Sequence, residues 1–153
     1  MQSVTLKVVQ GPDAGRSFRI DVGSYRVIGR SFGAMGGTAM ISQGERRRLD
    51  AEDQRKVQAL LTKRGAELEN KGARAEVSSF ARQEDIDLSD DATSQTHAMV
   101  FVDEAGASFV DVASTNGSYV NGKRISEVTL RDGDLVRLGE TRVEVVTDAT
   151  PVS

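Results

Sequence analysis

The feature that most constrains this chain is the spacing of its turns between residues 85 and 147. Asp103-Glu104-Ala105-Gly106, Asn116-Gly117, Asn121-Gly122 and Asp132-Gly133 punctuate that stretch. Between them stand short β-branched or aromatic runs: His97–Val102, Ala107–Asp111, Ser118–Val120, Asp134–Leu138 and Thr141–Val146. Glycine supplies positive φ and Asn or Asp tolerates it, so each such pair reverses the chain. Short runs this densely punctuated predict an antiparallel sandwich or barrel.

Residues 1–30 follow the same grammar. Val4, Leu6 and Val8 alternate with Thr5 and Lys7, as in a half-buried strand. Gly11-Pro12-Asp13-Ala14-Gly15 is a turn, and Phe18 and Ile20 then alternate with Ser17 and Arg19. Tyr25, Val27 and Ile28 form a third strand that ends at Gly29-Arg30.

Residues 31–84 differ. They open with Gly33-Ala34-Met35-Gly36-Gly37, and from about Glu45 to Lys71 they consist mainly of strong helix formers. Val57, Leu60, Leu61 and Leu68 fall near one helical face, and Glu52/Lys56 and Glu67/Lys71 stand at favourable i,i+4 spacing. Gly65 and Gly72 interrupt the pattern, which predicts one broken helix or two short ones. The apolar stripe is too thin for a core of its own, so the segment must lean on the sandwich, on a second copy or on a partner. The expectation is one domain over 1–147, with the sandwich in 1–30 and 85–147 and a helical insertion over about 31–84. The insertion is expected to pack lightly near the Arg30 end and to be removable, and 148–153 is a tail.

Composition narrows the function. The 153 residues suit one ordinary domain. With no cysteine there is no disulfide framework, thiol nucleophile or cysteine zinc site, and with His97 the one histidine there is no His-rich metal cluster. No metal and no cofactor are expected. A net charge of −3 gives no reason to expect nucleic acid or a membrane as partner. Arg46-Arg47-Arg48 has no aromatic neighbour on which bases could stack. The alternating N-terminus is unlike a secretion signal, and no apolar run approaches the roughly 18–20 residues that span a bilayer, so a cytoplasmic location is expected.

Four motifs occur in a fixed order. Tyr25-Arg26-Val27-Ile28-Gly29-Arg30 comes first, followed by Ser94-Gln95-Thr96-His97. Asp111-Val112-Ala113-Ser114-Thr115-Asn116-Gly117-Ser118-Tyr119-Val120-Asn121-Gly122 is next, and Leu130-Arg131-Asp132-Gly133-Asp134 is last. This order resembles the forkhead-associated (FHA) family, whose pattern is Gly-Arg, Ser-x-x-His, an aspartate-led Ser-Thr-Asn-Gly turn and Leu-x-Asp-Gly-Asp. The resemblance implies an all-β FHA/SMAD-like fold, an antiparallel β-sandwich of about ten or eleven strands. It also implies a module that binds phosphothreonine-containing proteins in Ser/Thr kinase signalling or assembly regulation. By resemblance, Arg30, Ser94 and Thr115 would touch phosphate, and Asn116 and Gln95 would touch peptide backbone. Gln95 stands where the family often has Arg or Asn. His97 would brace the loops from beneath, with Gly29, Gly117 and Asn121 as further structural support. The family has far fewer residues between Gly-Arg and Ser-x-x-His than separate Arg30 from Ser94 here.

The residue types suit the chemistry. A phosphothreonine carries about −1.5 to −2 charge and three acceptor oxygens, and it needs a cation and fixed donors. Arg30 offers a bidentate guanidinium, Ser94 and Thr115 offer hydroxyls, and the Asn116 amide donates and accepts at once. Read one at a time, the same residues are a strand-end arginine and ordinary turn residues. Ser94 beside His97 makes a poor nucleophile and base, because no acid partner or oxyanion turn accompanies them. No catalytic residue is assigned. A phosphorylation-independent scaffold on the same fold, with a second partner or self-association through 31–84, is the alternative.

Overall fold

The computed structural model describes residues 3–30, 51–67, 76–90, 92–93, 96–112 and 116–147. Ser94, Gln95, Thr115, Gly33–Gly37, Arg46–Arg48, Leu68 and the 148–153 tail, all singled out from the sequence, lie outside the described residues.

Two sheets face each other. The first contains β1 (Ser3–Gln10), β2 (Ser17–Asp21), β8 (Ser118–Val120), β9 (Lys123–Ile125), β11 (Leu135–Leu138) and β12 (Thr141–Thr147), in the order β2-β1-β12-β11-β8-β9. The second contains β3 (Ser24–Arg30), β4 (Ala81–Arg82), β6 (Ala98–Asp103), β7 (Gly106–Asp111) and β10 (Glu127–Leu130), in the order β10-β7-β6-β3-β4, with β5 (Ile86–Leu88) also on β3. The all-β sandwich expected from the turn spacing is therefore present. Twelve strands occur among the described residues, against the ten or eleven expected.

The alternation read from the sequence sets the core. Val4, Leu6, Ile20, Ile28, Val100, Phe109, Leu130, Val136 and Val143 meet between the sheets, while Thr5, Lys7, Arg137 and Arg142 point away from it. Burial of such side chains stabilises the fold by roughly 1.5–3 kcal/mol each.

The second sheet is mixed rather than purely antiparallel. β4 and β5 run parallel to β3, pairing Ser24 with Ala81 and Arg30 with Leu88. Parallel neighbours need a crossover, usually a helix, and residues 31–80 supply it. That crossover contains α1 (Ala51–Glu67) and a short 3-10 turn at Val77–Ser79. Val57 and Leu61 of α1 pack on the outer face of the second sheet against Val27, Met99, Phe101, Val110 and Val112, with Phe80 closing the cluster. Phe101 stacks on Tyr25 at 4.9 Å and takes the edge of Phe80 at 5.1 Å. This explains why every residue of β6 is buried: Ala98, Val100 and Val102 face the first sheet, and Met99, Phe101 and Asp103 face away from it.

The expectation of a lightly packed helix near Arg30 is thereby corrected. Arg64 of α1 is buried and pairs in a bidentate way with the buried Asp103, the second contact at 2.7 Å. Lys56 Nζ donates to the Asp111 carbonyl at 3.0 Å. The helix is bolted across the sheet over Ala51–Glu67, with Gly65 buried inside it.

Candidate functional site

Arg30, the His97 segment and Asn116–Gly117 meet at one end of the sandwich, whereas Leu130–Asp134 lies beside Asn121 at the other. Arg30 is the exposed last residue of β3 and stands opposite Leu88, where the chain leaves β5 for the loop of Ser-x-x-His. Those residues are 64 apart from Arg30 to Ser94 in the sequence, and the parallel pairing of β5 brings the chain back. Gly29 is a buried strand residue opposite Asp87. A special backbone conformation is therefore not its role; extended φ is open to any residue.

His97 lies beneath the loops. Its ring is fully buried. Nε2 lies 2.9 Å from the Gly117 carbonyl, an acceptor, so that nitrogen carries the proton. The backbone N–H of His97 donates to Ile28 and its carbonyl accepts from Val112. One residue thus ties β3, the root of the 112–117 loop and Gly117 together. Burial lowers the pKa of the ring, outweighing the raising effects of the Gly117 carbonyl, Asp111 and Asp90.

Asn116 is exposed, and its amide nitrogen donates to the Ala92 carbonyl at 2.7 Å, which links the two loops. The amide retains a second N–H and its oxygen. Gly117 has φ +79°, so glycine is favoured there by conformation, and a Cβ would meet the Arg124 Nε at 3.0 Å. Asn121 has φ +52° and supports the β8–β9 turn, bonding Asp134 and the Leu135 N–H. It lies at the far end of β8 from Gly117.

Three carboxylates carry the loops, and two of them have no motif to announce them. Asp90 accepts from the Ala92 N–H, the Glu140 N–H and the Thr141 hydroxyl, each at 2.8 Å. Burial alone would raise its pKa, but bonds from Thr141, Ala92 and Glu140 outweigh that and hold it below the usual carboxylate value. Asp13, buried in the β1–β2 turn, accepts from the Ser89 N–H at 2.7 Å and pairs with Arg16 at 2.9 Å. Asp111, which leads the third motif, accepts from the Ser118 hydroxyl at 2.6 Å. Asp-Asp before Ser-x-x-His is the one sequence signal that points to Asp90. Among the described residues no cluster of His, Asp and Glu could hold a metal ion, and no helix is long and apolar enough to cross a membrane.

This end of the sandwich offers an exposed guanidinium and an exposed amide on loops whose undersides are fixed by buried carboxylates and an imidazole. The family model described as FHA domain matches residues 74–139, which hold Ser94–His97 and Asp111–Gly122 and leave Gly29-Arg30 outside. Residues 74–139 thus resemble the FHA family, and the two sheets form an FHA-like β-sandwich. The glycogen accumulation regulator GarA of Mycobacterium tuberculosis (strain ATCC 25618 / H37Rv) is 34% identical over 94 residues, 58% of this chain and 56% of GarA. The chain thus spans about half the length of the curated relatives it matches. Among solved structures, a domain from a structural and functional analysis of phosphothreonine-dependent FHA domain interactions superposes with a TM-score of 0.55 at 23% identity, covering 97% of this chain and 99% of that one. Mycobacterium tuberculosis EmbR in complex with a low affinity phosphopeptide gives a TM-score of 0.53 at 20% identity, covering 100% of this chain and 26% of that one. At these identities the structural likeness speaks to the fold.

Proposed function

We propose that this domain is a phosphothreonine-dependent protein-interaction module, serving Ser/Thr kinase signalling or the assembly of proteins under its control, and that it is not an enzyme. The observation that carries the reading is the convergence of Arg30, the Asp90–His97 segment and Asn116–Gly117 at one end of the sandwich. His97 and the Asn116–Ala92 bond tie those segments together. Arg30, Ser94 and Thr115 take the phosphate, while Asn116 and Gln95 hold the peptide backbone. No cofactor is needed. The two structural neighbours described above, one concerned with phosphothreonine-dependent interactions and one holding a phosphopeptide, support the assignment. A cytoplasmic setting is in keeping with a kinase-linked partner.

The phosphorylation-independent scaffold is the weaker reading, because Val57 and Leu61 of α1 are already buried on the second sheet. A second partner or self-association through 31–84 would have to use the polar outer face of α1 or residues outside the described ones.

The test is fluorescence anisotropy with a library of threonine peptides, phosphorylated and not. A phosphothreonine peptide should bind and its unmodified form should not. Arg30→Ala should weaken binding by about 10- to 150-fold, the equivalent of roughly 1.5–3 kcal/mol for charge-assisted hydrogen bonds. Equal affinity for the two peptide forms would sink the reading.

A further inference from the structure

A row of cations crosses the outer face of the first sheet at the end that carries the loops. The register pairs Gln10 with Arg142, Arg142 with Arg137, Arg137 with Tyr119, and Tyr119 with Arg124. Directly paired residues share a face of a sheet. Arg142, Arg137 and Arg124 are exposed and Tyr119 is half-buried among them. The row from Arg142 to Arg124 spans three strand spacings, about 14 Å.

Two observations mark this row as more than solvated surface. The first concerns charge. Among the described residues, Arg16, Arg19, Arg64 and Arg82 each have a carboxylate partner. None of Arg124, Arg137 and Arg142 has a carboxylate within ion-pair distance among the described residues. Arg137 instead lies over the Tyr119 ring at 5.1 Å and bonds the Gly139 carbonyl at 3.1 Å. Arg137 and Arg142 are directly opposed across β11 and β12, an arrangement of like charges that destabilises a sheet unless something neutralises it.

The second observation is continuity with the site. The Arg124 guanidinium lies against Gly117, one residue from Asn116. Gly139, whose carbonyl Arg137 holds, sits against Ala92, whose carbonyl Asn116 holds. The row therefore begins at the two loops assigned to the phosphothreonine and runs away from them.

We propose that this row is an extension of the binding surface that takes the Asp and Glu side chains of the same partner segment. An extended peptide advances about 3.4 Å per residue, so about four residues next to the phosphothreonine would cover the row. The proposal rests on the phosphothreonine reading, and its test separates the two. Four phosphothreonine peptides carry Glu-Glu-Glu-Glu or Gln-Gln-Gln-Gln, placed before or after the modified residue, and their Kd values are compared at low and physiological salt. One placement of the glutamates should tighten binding by about tenfold or more at low salt, with the gain shrinking at physiological salt. Arg124→Gln/Arg137→Gln/Arg142→Gln should abolish that gain and leave the Kd of the glutamine peptides unchanged. Equal Kd values for glutamate and glutamine peptides in the wild type would overturn the proposal. So would capture of a short single-stranded RNA or phosphatidylserine vesicles that is lost in the triple variant while glutamates bring no gain. A glutamate gain that persists without phosphate would instead sink the phosphothreonine site and leave the row standing.

Discussion

Removing the Arg64 side chain tests whether α1 is part of the domain or an appendage to it. Arg64 and Asp103 are both buried, with side-chain exposures of 8% and 0%. Asp103 lies at the β6–β7 turn, where it also accepts from the Ala105 N–H at 2.9 Å. In Arg64→Ala the Asp103 carboxylate would remain in the interior without its guanidinium partner. Breaking one side of a buried pair costs about 3–5 kcal/mol, against a net stability of about 5–15 kcal/mol for a domain. For a chain of this size that corresponds to a fall in Tm of about 6–20 °C. Circular dichroism melts and urea titrations of the wild type, Arg64→Ala and Arg64→Met/Asp103→Leu would measure it. The double variant should recover most of the loss, since a well-packed apolar pair can replace a buried ion pair at little cost. Phosphopeptide affinity of the folded fraction should hold, because Asp103 sits at the opposite end of β6 from the loops. An unchanged melt for Arg64→Ala would refute the reasoning. So would a linker replacing residues 33–82 that melts like the wild type; the sequence alone predicts that this variant still folds and binds phosphopeptide.

Two further outcomes follow from the underside of the site. Burial lowers the pKa of His97, so the unfolded chain binds that proton more readily than the folded one. The stability that the neutral ring contributes is present above about pH 6.5 and is lost as pH falls through the folded-state pKa. His97→Gln should lower Tm at pH 7 and flatten its decline below pH 6.5; a decline as steep as in the wild type would assign the effect elsewhere. Gly139→Ala would place a Cβ 2.7 Å from the Ala92 carbonyl carbon at a φ of +60°, whereas Gly133→Ala at φ +88° meets open space. Both should lose about 1–2 kcal/mol to left-handed strain, but only Gly139→Ala should also weaken the phosphothreonine peptide, as read by anisotropy.

The sandwich was legible because its signals are local. Val4, Leu6 and Val8 alternate, and Asn121-Gly122 and Asp132-Gly133 close tight turns whose glycines take φ +84° and +88°. Each pattern needs only its own neighbours to be read. The parallel β4 and β5 were not legible for the converse reason. Two and three residues long, they carry no period, and they are strands only because β3 offers its edge. The docking of α1 was half legible. Ala98-Met99-Val100-Phe101-Val102 is apolar at every position, the mark of a strand buried on both faces, so something had to cover the second face. The helical segment with Val57 and Leu61 was the one candidate in the chain, and the crossover between parallel strands is what lays it there.

The site divides along the same line. Arg30, Asn116 and His97 belong to a pattern whose order can be read, and the His97 ring bonds the Gly117 carbonyl. Asp90 and Asp13 belong to no period and no motif. They look like ordinary acidic residues of a charged surface, yet both fix loop backbone by accepting N–H groups from segments distant in sequence: Glu140 for Asp90 and Ser89 for Asp13. Loops that must present polar groups to a ligand cannot spend those groups on holding themselves in place. The holding falls to carboxylates beneath them, which accept several donors at once and tolerate burial only when so satisfied. Such residues become visible when the segments they join are brought together. In a chain where Arg30 and Ser94 stand 64 positions apart, that joining is done by β5 and by the crossover that carries α1.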